Sequence, residues 1–353
     1  MRLEDLGFDS TFAHNFEELT PEGCSPARIS LEHKGSYIIY TQFGEMPAVP
    51  TGRMYYESEV QGLPVVGDWV VATVLDENPP RAIIHTILPR RTKFSRRQPG
   101  RKTQEQVLAS NIDTVFIVVG LDHNFSVRRV ERYLTLAWES GGSPVVLLTK
   151  SDLCEDVEAK VEAVKASAPG IPVHALSVID DRGTEMLRDY ILKGRTAALL
   201  GSSGVGKSTI INYLLGKEVQ RVQVVRDDDS KGRHTTTHRQ LFVLPSGGLI
   251  IDTPGMRELQ LWNADDGLGD AFTDIERLAA ECRFNDCSHE DEPGCRVQQA
   301  LADGILNPAR FANYRKMADE LRYLERKQDS GAARTEREKW KAIHKQAREI
   351  KKK

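Results

Sequence analysis

The segment Gly201 to Ser208 reads GSSGVGKS and fills every fixed position of the pattern G-x-x-x-x-G-K-[ST]. Glycines at 201, 204 and 206 let the backbone curl. The N–H groups along Gly201, Ser202, Ser203, Gly204, Val205 and Gly206 are then expected to turn inward toward phosphate oxygens. Lys207 is expected to bridge β- and γ-phosphates and Ser208 to ligate Mg²⁺. Thr209 continues a helix whose N-terminus adds partial positive charge. A chance lysine in a glycine-rich turn would need neither the apolar strand TAALL before it nor the helical run TIINYLL after it.

A phosphate loop does not choose a base, but Thr149-Lys150-Ser151-Asp152 can. It follows the strand-like PVVLLT, at the end of a strand where open α/β sheets bind ligands. The Asp152 carboxylate can accept hydrogen bonds from N1–H and the 2-amino group of guanine, and adenine has neither donor. Lys150 would lay its alkyl stem along the base, and Ser177, after IPVHALS, would support it from the other side. The plainer reading of Asp152 is a helix N-cap; the nearby phosphate loop weighs against it. Asp252, in DTPG after GLIID, is expected to hold Mg²⁺ through water, with the Gly255 N–H at the γ-phosphate. Between these segments lies KGRHTTTHR, where Thr236 is the favoured Mg²⁺ and γ-phosphate sensor and Thr235 and Thr237 stay open as alternatives.

Hydrolysis needs an oriented water, commonly held by a Gln just after the glycine of the third motif. Here Gly255 is followed by Met256, Arg257 and Glu258, so slow unaided turnover is expected. His234 is the best internal substitute, and a solvated loop histidine is its plainer reading. The expected catalytic set is His234, Lys207 and Thr236. A different chemistry sits further on. Cys282, Cys287, His289 and Cys295 place three sulfurs and one nitrogen within fourteen residues. That set satisfies tetrahedral Zn²⁺ with no open position, so one structural zinc is expected rather than a catalytic one.

The elements that must position these residues follow from texture. Of 353 residues, 40% are hydrophobic and 28% charged, which suits a chain with a sizeable core. No apolar run approaches the ~20 residues of a membrane-spanning helix, and the N-terminus carries no secretory pattern. A cytoplasmic monomer without membrane contact is expected. Residues 1–29 read as a weakly patterned extension. Short strands such as SYIIYT, WVVATV and AIIHTI, separated by Gly and Pro, make 30–104 an all-β barrel of oligonucleotide-binding (OB) type with a basic linker. From 105 to 262 strands alternate with helices, as in a mostly parallel sheet covered on both faces. Residues 263–353 read as helical, around the cysteine cluster, with a charged tail.

Net charge is −3, yet Arg90 to Lys102 carries seven Lys or Arg and no acid, and Arg310 to Lys353 carries fifteen against seven acids. Two basic segments on an acidic protein point to RNA, with Tyr37, Tyr40, Phe43, Tyr55 and Tyr56 as candidate stacking residues in the barrel.

The order of motifs is unusual, because the base-reading segments precede the phosphate loop. That is a circularly permuted P-loop GTPase domain, between an N-terminal barrel and a C-terminal zinc-binding domain. This order, with LPVVGDWV, LPRRTKFSRR, TKSD, GSSGVGKST, KGRHTTTHR, IDTPGMRE and the cysteine cluster, closely resembles the small-ribosomal-subunit biogenesis GTPase family (RsgA, also called YjeQ). The resemblance implies a GTPase that binds GTP and GDP, assists late maturation of the small (30S) subunit with its 16S rRNA, and is stimulated by that subunit. An RNA-binding scaffold that holds guanine nucleotide with little turnover is the alternative that Met256 keeps open.

Overall fold

A computed structural model describes residues 1–19, 23–33, 35–97, 105–123, 125–218, 239–252, 265–284, 286–290 and 292–328. The chain divides into two compact units, Met1–Arg96 with Gln106–Leu259 and Arg97–Glu105 with Gln260–Lys353.

The first unit opens with helix α1 (Ser10–Leu19), whose first amides at Thr11 and Phe12 donate to the Asp9 carboxylate. The segment expected as a loose extension is packed. Leu6 and Phe12 are fully buried, and the rings of Phe8 and Phe12 lie 4.8 and 5.8 Å from Trp69. Strands β1 (Ser25–His33), β2 (Ser36–Thr41) and β3 (Gly44–Pro50), helix α2 (Gly52–Gln61), and strands β4 (Trp69–Leu75) and β5 (Arg81–Ile87) follow. Their order is β1-β2-β3-β5-β4, and β4 returns to β1 from Ser25↔Ala72 to Arg28↔Trp69. The closed five-stranded barrel, with β3 and β5 parallel, fits an OB fold. Ile29, Ile39, Met46, Val70 and Ile84 fill its interior. Its first strand starts at Ser25, inside the expected extension.

Next come β6 (Lys93–Arg97) and β7 (Glu105–Ser110), which pair with each other. They lead into β8 (Thr114–Gly120), α3 (Val127–Glu139), β9 (Ser143–Thr149), α4 (Val157–Ser167), β10 (Val173–Ala175), α5 (Leu187–Tyr190), β11 (Thr196–Leu200), α6 (Lys207–Leu215), β12 (Gln240–Val243) and β13 (Leu249–Asp252). The spatial order is β10-β9-β8-β11-β13-β12, parallel except where β12 runs against β13. Every residue of β8 and β11 is buried, as expected of central parallel strands covered on both faces. Helix α5 is only four residues long. Tight i→i−3 bonds such as Leu187 N–H to the Thr184 carbonyl replace a continued α-helical ladder.

Barrel and parallel sheet are continuous, because β12 pairs with β1 at Leu31↔Gln240. Two buried polar groups tie the same junction. The Arg28 guanidinium donates to the carbonyls of Gly67, Leu6 and Asn111. The fully buried Asp68 accepts from Ser110 Oγ, from the Val65 amide and from both arms of Arg90, the last two contacts at 2.7 Å. Arg91 reaches Asp9 at 2.6 Å and lies 4.2 Å over the Phe12 ring. Arg90 is thus an internal fastener, whereas Arg91 makes a surface pair with Asp9.

The second unit holds α7 (Asp265–Ala271), α8 (Thr273–Ala280), α9 (Arg296–Ala302) and α10 (Pro308–Gln328). Phe272, Ile275, Val297, Phe311 and Met317 are buried in it. Arg310 pairs with Asp274 at 2.7 Å and sits 4.6 Å over the Phe272 ring. The charged tail from 336 lies outside the described residues.

Candidate nucleotide site and metal centre

β8, β9, β11 and β13 are parallel neighbours, so their carboxyl ends form one edge. The phosphate loop leaves β11 at Leu200. A Cβ on Gly201 would come within 2.3 Å of the Val118 carbonyl oxygen in β8, so only glycine lets the loop start so close to the strand. Gly204 and Gly206 have φ of 72° and 99°, turning the chain into α6. Lys207 folds its ammonium back onto the Gly201 and Ser202 carbonyls at 2.7 and 2.5 Å. Ser203 and Val205 lie within the loop, and Ser208 and Thr209 occupy the first turn of α6.

The segment expected to read the base is physically joined to the phosphate loop. Thr149, the last residue of β9, donates its hydroxyl to the Val205 carbonyl at 2.6 Å. Lys150 follows with φ 60°, in the left-handed region, and its ammonium meets Asp122 at 2.7 Å. The Ser151 amide donates to Leu176, which brings the fully buried Ser177 beside the segment. Asp152 Oδ1 is buried and, among the described residues, has no hydrogen-bond partner. An acceptor held away from water in this way suits a ligand that brings donors to it. Asp252 ends β13. Burial pushes its carboxyl up to about 6, with the Lys207 charge working the other way. A cation beside it would reverse that burial effect. Gly255, His234, Thr235, Thr236 and Thr237 lie outside the described residues.

Two participants carried no motif. Tyr133 of α3 places its hydroxyl 3.2 Å from Ser202 Oγ. Asp122, two residues beyond β8, pairs with Lys150. A carboxylate just after a buried parallel strand was the available signal for Asp122; Tyr133 had none.

In the second unit the ligand atoms of Cys282, Cys287, His289 and Cys295 all lie within 4.8 Å of one another. His289 Nδ1 stands 3.7 and 3.5 Å from the sulfurs of Cys282 and Cys295. Cys295 also accepts the Gln298 amide, so a candidate metal ligand doubles as the cap of α9. Burial and the two neighbouring thiols together push Cys287 up to about 11. Cys282 is held lower: burial opposes its ionisation, but the Arg296 and Val297 amides outweigh it. Three thiols this close ionise together only with a cation between them, so the donor set fits a metal ion.

Of the candidate stacking residues, Tyr37 and Tyr40 are core, whereas Phe43, Tyr55 and Tyr56 are exposed on the barrel.

Residues 87–262 match the family described as RsgA GTPase. The chain is 46% identical over 353 residues to the Small ribosomal subunit biogenesis GTPase RsgA of Opitutus terrae, covering 98% of this chain and 96% of that protein. It is 46% identical over 319 residues to RsgA 1 of Oceanobacillus iheyensis, covering 90% and 91%. Its fold is similar to that of YjeQ from Thermotoga maritima, with TM-score 0.64 and 25% identity over 84% of this chain and 98% of that one. YloQ, a circularly permuted GTPase, gives TM-score 0.60 at 24% identity over 85% and 96%.

Proposed function

The chain belongs to the RsgA family of GTPases, and from that premise we propose that it hydrolyses GTP to assist late assembly of the small ribosomal subunit, which stimulates the reaction. The observation that carries the reading is the convergence at one sheet edge of the phosphate loop, the Asp152 Oδ1, buried and unpartnered among the described residues, and the elevated Asp252. Asp152 reads guanine, with Lys150, Ser151 and Ser177 around the base and Thr149 holding the loop. The amides of Gly201 to Gly206, with Lys207, Ser208, Thr209 and Gly255, take the phosphates. Ser208, Asp252 and Thr236 would hold Mg²⁺, which neutralises charge on the phosphates. His234 orients the attacking water, or the subunit does. Cys282, Cys287, His289 and Cys295 would hold one structural Zn²⁺. The OB barrel, opened by β1 at Ser25, and its linker run to residue 104, the GTPase domain spans 105–262 and the zinc domain 263–353, in a cytoplasmic monomer that meets 16S rRNA through its basic segments.

GTP turnover measured with and without purified small subunits tests this. Stimulation on the order of 10³-fold, as other GTPases gain from groups supplied in trans, is expected. Equal, negligible turnover in both samples would leave an RNA-binding scaffold that holds nucleotide, which is the alternative that Met256 keeps open.

A further inference from the structure

We propose that Asp122 is a positioning residue for guanine-nucleotide binding: it anchors the Lys150 ammonium so that the lysine stem is held taut across the base. The inference rests on reading Thr149 to Asp152 as the base-reading segment. The ion pair spans 2.7 Å, and its side chains are only 24% and 14% exposed, so water and salt screen it poorly. A charge-assisted contact of this kind fixes geometry as well as charge.

Both ends of the pair are fixed. Lys150 sits in the left-handed region, uncommon for a residue with a Cβ, and its neighbours define that conformation. Leu153 N–H donates to the Lys150 carbonyl, and Ser151 N–H to that of Leu176. On the other side, the Leu121 amide donates to Thr149, and Phe125 closes a turn onto the Asp122 carbonyl. The Asp122 carboxylate folds back over the end of β8, 3.0 Å from where a Cβ on Gly120 would stand. A free lysine has four rotatable bonds to immobilise when a ligand arrives. One pinned at backbone and ammonium has already lost that freedom, so binding costs less.

The division of labour is then clear. Asp152 meets the edge of the base and selects guanine, while the Asp122–Lys150 pair serves its face and adds affinity without selection. Asp122→Asn should raise the GDP dissociation constant about tenfold, the scale of one lost charge-assisted hydrogen bond, and leave the GDP-over-ADP preference within about twofold. kcat at saturating GTP should fall much less than the dissociation constant rises. Asp122→Glu, which keeps the charge, should recover most of the affinity and guards against a fold defect in the first variant. The decisive measurement is calorimetric GDP titration of Asp122→Asn, Lys150→Met and the double variant. If Asp122 acts through Lys150, the double variant binds GDP no more weakly than Lys150→Met alone. Unchanged affinity in Asp122→Asn, or a double variant weaker by the product of both single effects, overturns the assignment while leaving the guanine reading intact. A wild type that binds GDP and ADP equally removes that reading and the assignment with it.

Discussion

One hydroxyl couples the two halves of the proposed nucleotide site. Thr149 ends the strand before the segment proposed to read the base, yet its proton goes to the Val205 carbonyl inside the phosphate loop. Thr149→Val keeps the shape but strands that buried carbonyl, at about 1–3 kcal/mol. GTP affinity should fall roughly tenfold or more by calorimetry, and Thr149→Ser should restore it. Asp152 makes the complementary case. Its orphaned oxygen is costly unless a donor arrives, so Asp152→Asn should lose guanine selectivity and gain xanthine nucleotides, whose 2-oxo group accepts from the new amide. Competition binding with the two nucleotide sets reads this directly; a variant that still favours GDP over XDP would remove Asp152 from the base.

Among the elements, the short helices of the second unit depend most on groups outside their own ladders. α9 has seven residues, begins at a capping cysteine and follows a loop with little apolar content. Helices this short are marginal alone, so a metal ion held by Cys282, Cys287, His289 and Cys295 would supply what propensity does not. Chelation, or Cys287→Ser, should lower the thermal midpoint of this unit and lose one equivalent of zinc, while GDP affinity stays nearly unchanged. Retention of one zinc by the Cys287→Ser protein would show that the ligand set is wrong. α8 and α10 are joined by Asp274 and Arg310. Burial opposes ionisation of Asp274, but the hydrogen bonds and charge of Arg310 prevail and hold its carboxyl below the usual carboxylate range. A group with a depressed folded pKa contributes stability above its unfolded value of about 3.9, and that contribution fades as pH falls through the folded value. Urea midpoints of this unit should therefore hold level from pH 7 to 5 and decline below about 4. Arg310→Met should flatten the part of that decline due to Asp274.

Taken whole, the first unit has no clean seam between barrel and parallel sheet. β1 is a barrel strand on one edge and meets β12 on the other, and Arg28 and Asp68 bind residues from both sides. Burial pushes the Arg28 guanidinium down to about 10, against the charges of Asp113 and Asp68. Asp68→Ala would remove the fully buried carboxylate that Arg90, Ser110 and the Val65 amide share, breaking a buried charge network at about 3–5 kcal/mol. Hydrogen exchange should show amides of β1, β4 and β8 opening at one common free energy, lowered together in Asp68→Ala. A barrel that opens well before β8 would contradict this. The same geometry divides the basic run: reversing charge at Arg90 would loosen the junction, so RNA contact is better tested at Lys93 and Arg96.

The sequence by itself determined the chemistry that is local in the chain. GSSGVGKS, TKSD and the four metal ligands each place their groups within a few residues, and the alternation of buried strands and amphipathic helices sets the parallel sheet. Even the permuted order could be read directly, because motif order is a property of the chain alone. Packing partners distant in sequence were another matter. Arg90 and Arg91 look like the rest of a solvated basic run until Asp68 and Asp9 arrive beside them. Residues 1–29 look unpatterned because Leu6 is buried and Phe8 and Phe12 pack on Trp69 with no periodicity of their own. Asp122 and Tyr133 enter the site only when β8 and α3 are folded beside β9 and β11. Tertiary structure decided these because whether a charge faces water or a partner depends on what the fold brings near it, and spacing along the chain does not encode that distance.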